Sequence, residues 1–342
     1  MYGIKDLKQI INNITQTTVE CPVKDCSCIV ERQHRSFRRE ARFMCPEHKI
    51  YISPTTFEYD SKIDNLLWQN KVDLELLEEI KKAKRESRIE RDNSEDSLTW
   101  NVFRYLENTN QLASLLSHFG HVSHFDADLI YWSYSLKLKG PWQELKRARY
   151  EFGESQARGS EPDLIALTDK SLYFIEAKLT ATNNTSPSDK NNRKKYLTGG
   201  NGWYKQVFRS DFDTVAIQAK KYELFRFWLL GSWLAKEINR NFCLINIVLS
   251  ERDKDIEERF IPHIIQVEGQ RQFKRITWEG IYDYIVKNAP DSQDKQLMVK
   301  YFHNKTIGYK YGILQKAFSV SQNVPVAPVS YTHLTLPTIN SV

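Results

Sequence analysis

The segment GSEPDLIALTDKSLYFIEAKL, residues 159–179, carries an acid at the head of one apolar run and an acid and a lysine at the foot of the next. The two runs read as strands, Asp163 to Thr168 and Ser171 to Lys178, joined by a tight turn at Asp169-Lys170. In that register Asp163 lies directly opposite Glu176. Side chains alternate along a strand, so Ile165 and Leu167 share the face of Asp163, while Leu172, Phe174 and Lys178 share the face of Glu176. A turn with one residue more or fewer would slip the pairing and separate the two acids. Like charges directly opposite each other destabilise a sheet. A divalent cation offsets that repulsion, and Mg²⁺ favours one or two carboxylates together with water and phosphate oxygens. Lys178 could then hold an attacking water or stabilise negative charge on a phosphate. The plainer alternative is an ordinary hairpin with solvated charges at its end.

The Pro162-Asp163 pair, the Glu176-Ala177-Lys178 triplet and the apolar strands that carry them resemble the PD-(D/E)xK nuclease superfamily, the restriction-endonuclease-like fold, over residues 94–285. The resemblance implies an α/β domain, a mixed sheet flanked by helices with the hairpin at its middle. It also implies a hydrolase, a Mg²⁺-dependent endonuclease that cleaves DNA, with Asp163 and Glu176 binding one or two Mg²⁺ ions and Lys178 positioning the water. A restriction or defence enzyme is the favoured form. The alternatives are a recombination or repair nuclease acting on branched DNA, and a nucleic-acid-binding protein that has lost activity. Retention of Asp, Glu and Lys together counts against the last. A homodimer is compatible with any of these.

Two helices must position these groups. Ser94 can cap a helix through SEDSLTWNVFRYLEN, with Glu95 aligned with Leu98, Val102 and Tyr105 on the stripe that faces the sheet. Glu95 there favours the helix dipole; the resemblance implies a second role, a carboxylate near the metal, with Asp96 as the fallback. A further helix from Thr214 to Asn239 brings Gln218, Tyr222, Phe225 and Leu229 onto one face. A glutamine on an apolar stripe needs a hydrogen-bond partner, and the resemblance places Gln218 beside the active site, a structural amide being the alternative. FCLINIVLS, residues 242–250, reads as a buried central strand that makes Cys243 a core thiol, and TWEGIYDYIVKN as a covering helix. Between hairpin and second helix, TATNNTSPSDKNNRKKYLTGGNGW reads as a loop containing Arg193, Lys194 and Lys195, either an arm that closes over nucleic acid or simple disorder.

Four of the 5 cysteines lie ahead of this domain, in CPVKDCSCIVERQHRSFRREARFMCPEH. Cys21 and Cys26 suit one zinc knuckle, with Cys28 the competitor for Cys26, and Cys45 and His48 the other. The segment resembles a zinc ribbon or related finger, an expected module over residues 1–60 with a structural Zn²⁺. Arg32, Arg35, Arg38, Arg39 and Arg42 lie between the knuckles and suit either a strand pair that contacts DNA phosphates or a solvated charged face. His118, His121 and His124 recur every third residue, which fits a helix end or turn better than a second metal site.

The chain of 342 residues, with 41% hydrophobic residues and a formal charge of +6, has room for one large domain and a small one, and suits a phosphate-rich partner. It shows neither an apolar run of membrane-spanning length nor a leader-like start, so a cytoplasmic location is expected. Residues 61–93 read as a solvated, charged helical connector, residues 94–318 as the nuclease domain, and residues 325–342 as a non-native tail.

Overall fold

The computed structural model describes residues 7–83, 88–120, 125–154, 161–188 and 193–320. The expected tail at 325–342, together with His121 and His124, lies outside them.

Five short strands come first. β1 (Thr18–Glu20) pairs antiparallel with β2 (Ile29–Glu31), and β3 (Met44–Cys45), β4 (Ile50–Ile52) and β5 (Phe57–Tyr59) form a second antiparallel sheet. Their inward side chains, with Ile11 and the cysteines, make a small core of their own. The arginine-rich stretch is not a strand pair: β2 ends at Glu31, and the chain runs irregularly to a single 3₁₀ turn at Ala41–Phe43.

Residues 61–93 are not a solvated connector. In α1 (Lys71–Ala83) the acids and bases that dominate the composition face water, but Asp73, Leu76, Leu77 and Ile80 recur at helical spacing and are buried. The leucines join the main core, and buried Asp73 accepts a 2.9 Å bond from Arg104 Nε on α2 (Glu95–Asn108). Ser94 caps α2 as expected, its hydroxyl accepting from Ser97 N at 3.1 Å. Then come α3 (Leu112–Gly120), which packs His118 against Tyr284, β6 (Ala127–Tyr131), β7 (Tyr134–Ser135), β8 (Gly140–Pro141) and α4 (Gln143–Glu151).

The motif hairpin is β9 (Leu164–Thr168) and β10 (Ser171–Ala177), and its register is the one expected: Leu167 faces Leu172 and Ile165 faces Phe174. The segment expected to be a loop after it holds α5 (Arg193–Gly202), kinked at Gly199–Asn201, followed by α6 (Tyr204–Val207). The single helix expected from Thr214 to Asn239 is instead a π-helical turn, Asp213–Gln218, and α7 (Tyr222–Glu237), broken where Lys220 takes φ 54°. The break has a local cause. Thr185 accepts from Tyr222 N at 3.2 Å through its carbonyl and from Glu223 N at 2.9 Å through its hydroxyl, taking the first amides of α7 that a preceding turn would otherwise bind.

β11 (Asn241–Val248), α8 (Ile256–Phe260), β12 (Arg271–Thr277), α9 (Trp278–Asn288), α10 (Gln293–Asn304), β13 (Thr306–Lys310) and β14 (Ile313–Lys316) complete the described residues. The main sheet is mixed and 7-stranded, in the order β12-β11-β10-β9-β6-β7-β8; β11 runs parallel to β10 and β12, and β9 antiparallel to β10 and β6. The hairpin is central, as expected, and β11 is the buried strand anticipated at 242–250. Alternation splits the side chains of the hairpin between two cores: Leu164, Ala166, Tyr173 and Ile175 face α1, α2, α9 and α10, while Ile165, Leu172 and Phe174 face α4 and α7. α7 lies close because Gly231 faces β11, where a Cβ would meet Phe242 at 2.2 Å. The β13–β14 hairpin leaves the main core and packs Tyr309 and Leu314 into the small N-terminal one.

Candidate active site and metal centre

The acidic site lies at the end of β10, on the face covered by α7. Asp163 follows Pro162 at the entry to β9 and is oriented by two donors, Trp132 Nε1 at 3.1 Å to Oδ1 and Ala177 N at 2.9 Å to Oδ2. Glu176 is 3% exposed. Burial, with Asp163 and Glu223 adding repulsion, pushes its carboxyl well above the usual carboxylate range, against the opposing pull of Lys178. Its Oε1 accepts from Lys178 Nζ, while Oε2 is buried with no hydrogen-bond partner. Lys178 also donates to Glu223 Oε2 at 3.0 Å. Burial alone would lower the ammonium pKa, but Glu176, Glu223 and Asp163 outweigh it and hold Lys178 protonated.

Glu95 approaches from the opposite face of the sheet. It sits in the first turn of α2, and its Oε2 accepts from Leu179 N and, at 3.4 Å, from Ala181 N, so it grips the backbone immediately beyond Lys178. A cavity of about 460 Å³ opens beside it, lined by Arg88, Arg91, Asp96 and Thr180. Gln218 falls on the π-helical turn, exposed and off the buried stripe. The polar group that α7 does deliver is Glu223, which lowers its own pKa through Lys178 despite burial. Sequence periodicity missed it because the apolar stripe runs smoothly across the break at Lys220. The residue pair Tyr222-Glu223, at the start of a mostly apolar helix, was the available signal.

Behind the site a buried ion pair anchors α7. Arg226 donates to Glu154 at 2.7 Å and 2.5 Å, and Tyr196 donates to the same carboxylate at 3.0 Å and meets the hydroxyl of Tyr222 at 2.8 Å. On the other side of β10, Asn246 of β11 donates to Glu176 O at 3.2 Å and is itself held by Asn183.

The second constellation is in the N-terminal module. Cys21 follows β1, Cys26 lies in the turn toward β2, Cys45 ends β3 and His48 lies in the turn before β4. Their donor atoms all lie within 4.8 Å of one another. Cys21 Sγ and Cys45 Sγ are each 3.7 Å from His48 Nδ1, and Cys26 Sγ is 3.9 Å from Cys45 Sγ. Two sulfurs each about 2.3 Å from a tetrahedral ion stand about 3.7 Å apart, so the four could hold a metal ion with little movement. Burial and neighbouring thiols push the Cys21 thiol up, a penalty that a bound cation reverses. Cys28 belongs to a second group with Cys26 and Glu47, away from the imidazole. Among the described residues these cysteine groups are where three or more donors converge so tightly, and the acidic site is not one of them.

Among the basic residues singled out by sequence, Arg35 and Arg38 are exposed, whereas Arg39 is committed to the carbonyls of Tyr59 at 2.6 Å and Asp60 at 2.7 Å. Arg193, Lys194 and Lys195 lie on the first turn of α5, Arg193 paired with Asp213 at 2.8 Å and Lys195 over the Tyr196 ring at 4.9 Å.

Comparison of the chain with family models, with curated proteins and with solved structures finds no match. In the described residues no helix is long and apolar enough to cross a membrane.

Proposed function

We propose that the protein is a Mg²⁺-dependent endonuclease acting on DNA, of the PD-(D/E)xK type and the restriction-endonuclease-like fold, with a structural zinc in its N-terminal module. The observation that carries the proposal is the Glu176 carboxyl, buried beside Asp163 and Glu223, whose ionisation burial and those neighbouring acids oppose. A buried acidic cluster of that kind is costly to charge unless a cation neutralises it. Asp163 and Glu176 would hold the ion. Bound there, Mg²⁺ would offset the local negative charge and polarise a phosphoryl oxygen.

The remaining steps belong to the chain. Trp132 and the amide of Ala177 fix the Asp163 carboxylate, so that it need not reorganise when substrate arrives. Lys178, kept protonated by its acidic neighbours, is placed to donate hydrogen bonds to the attacking water or to the phosphate. Glu223 aims it, and Glu95 holds the chain just after it. The exposed Arg35 and Arg38 and the basic turn of α5 are suited to phosphate contacts that position a duplex.

Supercoiled plasmid incubated with wild type and with Asp163→Ala, Glu176→Ala and Lys178→Ala in Mg²⁺, Ca²⁺ and EDTA tests the proposal. Cleavage is expected in Mg²⁺ alone, full in wild type, reduced on the order of a hundredfold in Lys178→Ala, and lost in Asp163→Ala and Glu176→Ala. Cleavage that survives Glu176→Ala, or that proceeds equally in EDTA, rules the proposal out.

A further inference from the structure

At the other end of β10 from Glu176, about 20 Å away at the rise of an extended strand, a second pocket of about 350 Å³ opens. Four cationic side chains line it: Lys170 from the β9–β10 turn, Lys236 from the last turn of α7, Arg240 from the link to β11, and Arg271 from the start of β12. Among the described residues no carboxylate lines it. Arg240 donates from Nε to Thr168 O at 3.3 Å and from Nη1 to Asn239 O at 3.2 Å, and Arg271 from Nε to Ile265 O at 3.0 Å and from Nη2 to Gln206 O at 3.2 Å, so backbone carbonyls fix both guanidiniums at the pocket without neutralising them. Neither pairs with an acid among the described residues, and the one ionic contact of Lys236 is a 4.0 Å approach to Glu237. Burial lowers the pKa of Arg271, the mark of a guanidinium that is short of both water and counter-charge.

The helix dipole accounts for part of this, since cations are favourable at the C-terminus of α7. It accounts for Lys236 and Arg240 and not for Lys170 or Arg271, which arrive from other elements. Trp203, itself buried, lies beneath, with Lys236 Nζ 4.9 Å and Arg271 Cζ 5.9 Å from its ring, so the indole supports the cations. Converging fixed guanidiniums and mobile ammoniums match clustered phosphate oxygens, the guanidiniums in directed hydrogen bonds and the lysines as point charges. The volume is at the small end of ligand pockets.

We propose that this pocket binds a ligand carrying a diphosphate group, independently of any divalent ion at the acidic site. Titration calorimetry of the full chain in EDTA at constant ionic strength tests it, with inorganic pyrophosphate, ADP, AMP and sulfate as probes. Lys170 and Lys236 are exposed, so Lys170→Glu and Lys236→Glu should fold, and Lys71→Glu on α1 is the charge-matched control. Pyrophosphate and ADP are expected to bind at one site per chain, more tightly than AMP or sulfate. Each pocket reversal should weaken them roughly fivefold to tenfold, the control not at all. Equal affinity for pyrophosphate and ADP assigns the site to the diphosphate alone, and tighter ADP to a nucleotide. Binding no tighter than that of sulfate, or unchanged by both reversals, overturns the proposal.

Discussion

Lys178 Nζ lies 3.0 Å from Glu223 Oε2, so the last residue of the motif on the central hairpin is tied to the first turn of the helix that covers it. The link spans 45 residues of sequence and joins two independently built elements. The strand fixes where the lysine starts, and α7 fixes where its ammonium points. Because Glu176 and Asp163 surround the same ammonium, Glu223 adds negative charge to the cluster, opposing ionisation of Glu176 while keeping Lys178 protonated.

Loss of Glu223 should therefore act on turnover. Glu223→Ala is expected to lower kcat for DNA cleavage by about 10-fold to 100-fold, the range seen when the partner of a directly acting group is removed, with little change in KM. Glu223→Gln, which keeps a hydrogen-bond acceptor without the charge, should recover part of it. Single-turnover and steady-state cleavage rates on one duplex would separate the two effects, and an unchanged kcat in Glu223→Ala would remove Glu223 from the site.

Glu176 should be a liability for stability until a cation arrives. Its folded pKa is raised, so stability is fully present below the unfolded value of 4.5 and declines as pH climbs toward the folded value. In EDTA, Glu176→Gln is expected to melt at or above the wild-type temperature at neutral and mildly alkaline pH, the gap narrowing toward acid; each kcal/mol relieved is worth roughly 2–4 °C for a domain of this size. Adding Mg²⁺ should raise the wild-type midpoint and leave the variant unmoved. Scanning calorimetry across pH would show it; a variant less stable than wild type at every pH contradicts the assignment.

Much of this site is legible in the sequence because it depends on local rules. A two-residue turn and strict alternation are enough to put Asp163 opposite Glu176, and the Ser94 cap is enough to begin α2 with Glu95. What stays hidden is decided by contacts distant in sequence. The break before α7 comes from Thr185 binding amides 37 and 38 residues on, which no helical period reveals, and it moves Gln218 out of the stripe and Glu223 into the site. The charge-rich composition of α1 likewise conceals that Asp73 is buried against Arg104, a pairing that only the folded helix packing creates. The cysteine module is the opposite case: spacing points to Cys21, Cys45 and His48 with Cys26 or Cys28, and the donor that joins the converging set is that of Cys26.

That convergence predicts metal content. Protein purified without chelator should carry about one zinc per chain, retained in Cys28→Ser and lost in Cys45→Ala and His48→Ala. Because the module shares its core with the β13–β14 hairpin, loss of the ion should also loosen residues 306–316, visible as faster amide exchange at both ends of the chain while β9–β11 stay protected. Elemental analysis that finds no zinc, or a Cys28→Ser variant that loses it, would contradict the ligand set.

The buried pair behind the site gives the last prediction. Burial opposes ionisation of Glu154, but the Arg226 guanidinium and the Tyr196 hydroxyl more than compensate and hold its carboxyl below the ordinary 4.5. The sign follows: the pair's contribution is fully present above pH 4.5 and is lost as pH falls below that value through the depressed folded pKa. Glu154→Ala removes the carboxylate to which Arg226, 3% exposed, donates two hydrogen bonds, and should cost about 3–5 kcal/mol at neutral pH. Glu154→Gln with Arg226→Met removes both charges and should cost far less, with a shallower decline of stability below pH 4.5 than wild type shows. Since Arg226 lies one turn beyond Glu223 on α7, the single variant should also lose cleavage activity in proportion to the displacement of that helix, and the double variant should keep most of it. Chemical denaturation at a series of pH values, paired with plasmid cleavage, measures both. An equal acid dependence in wild type and double variant would show that the Glu154–Arg226 pair contributes nothing to the acid lability of the fold.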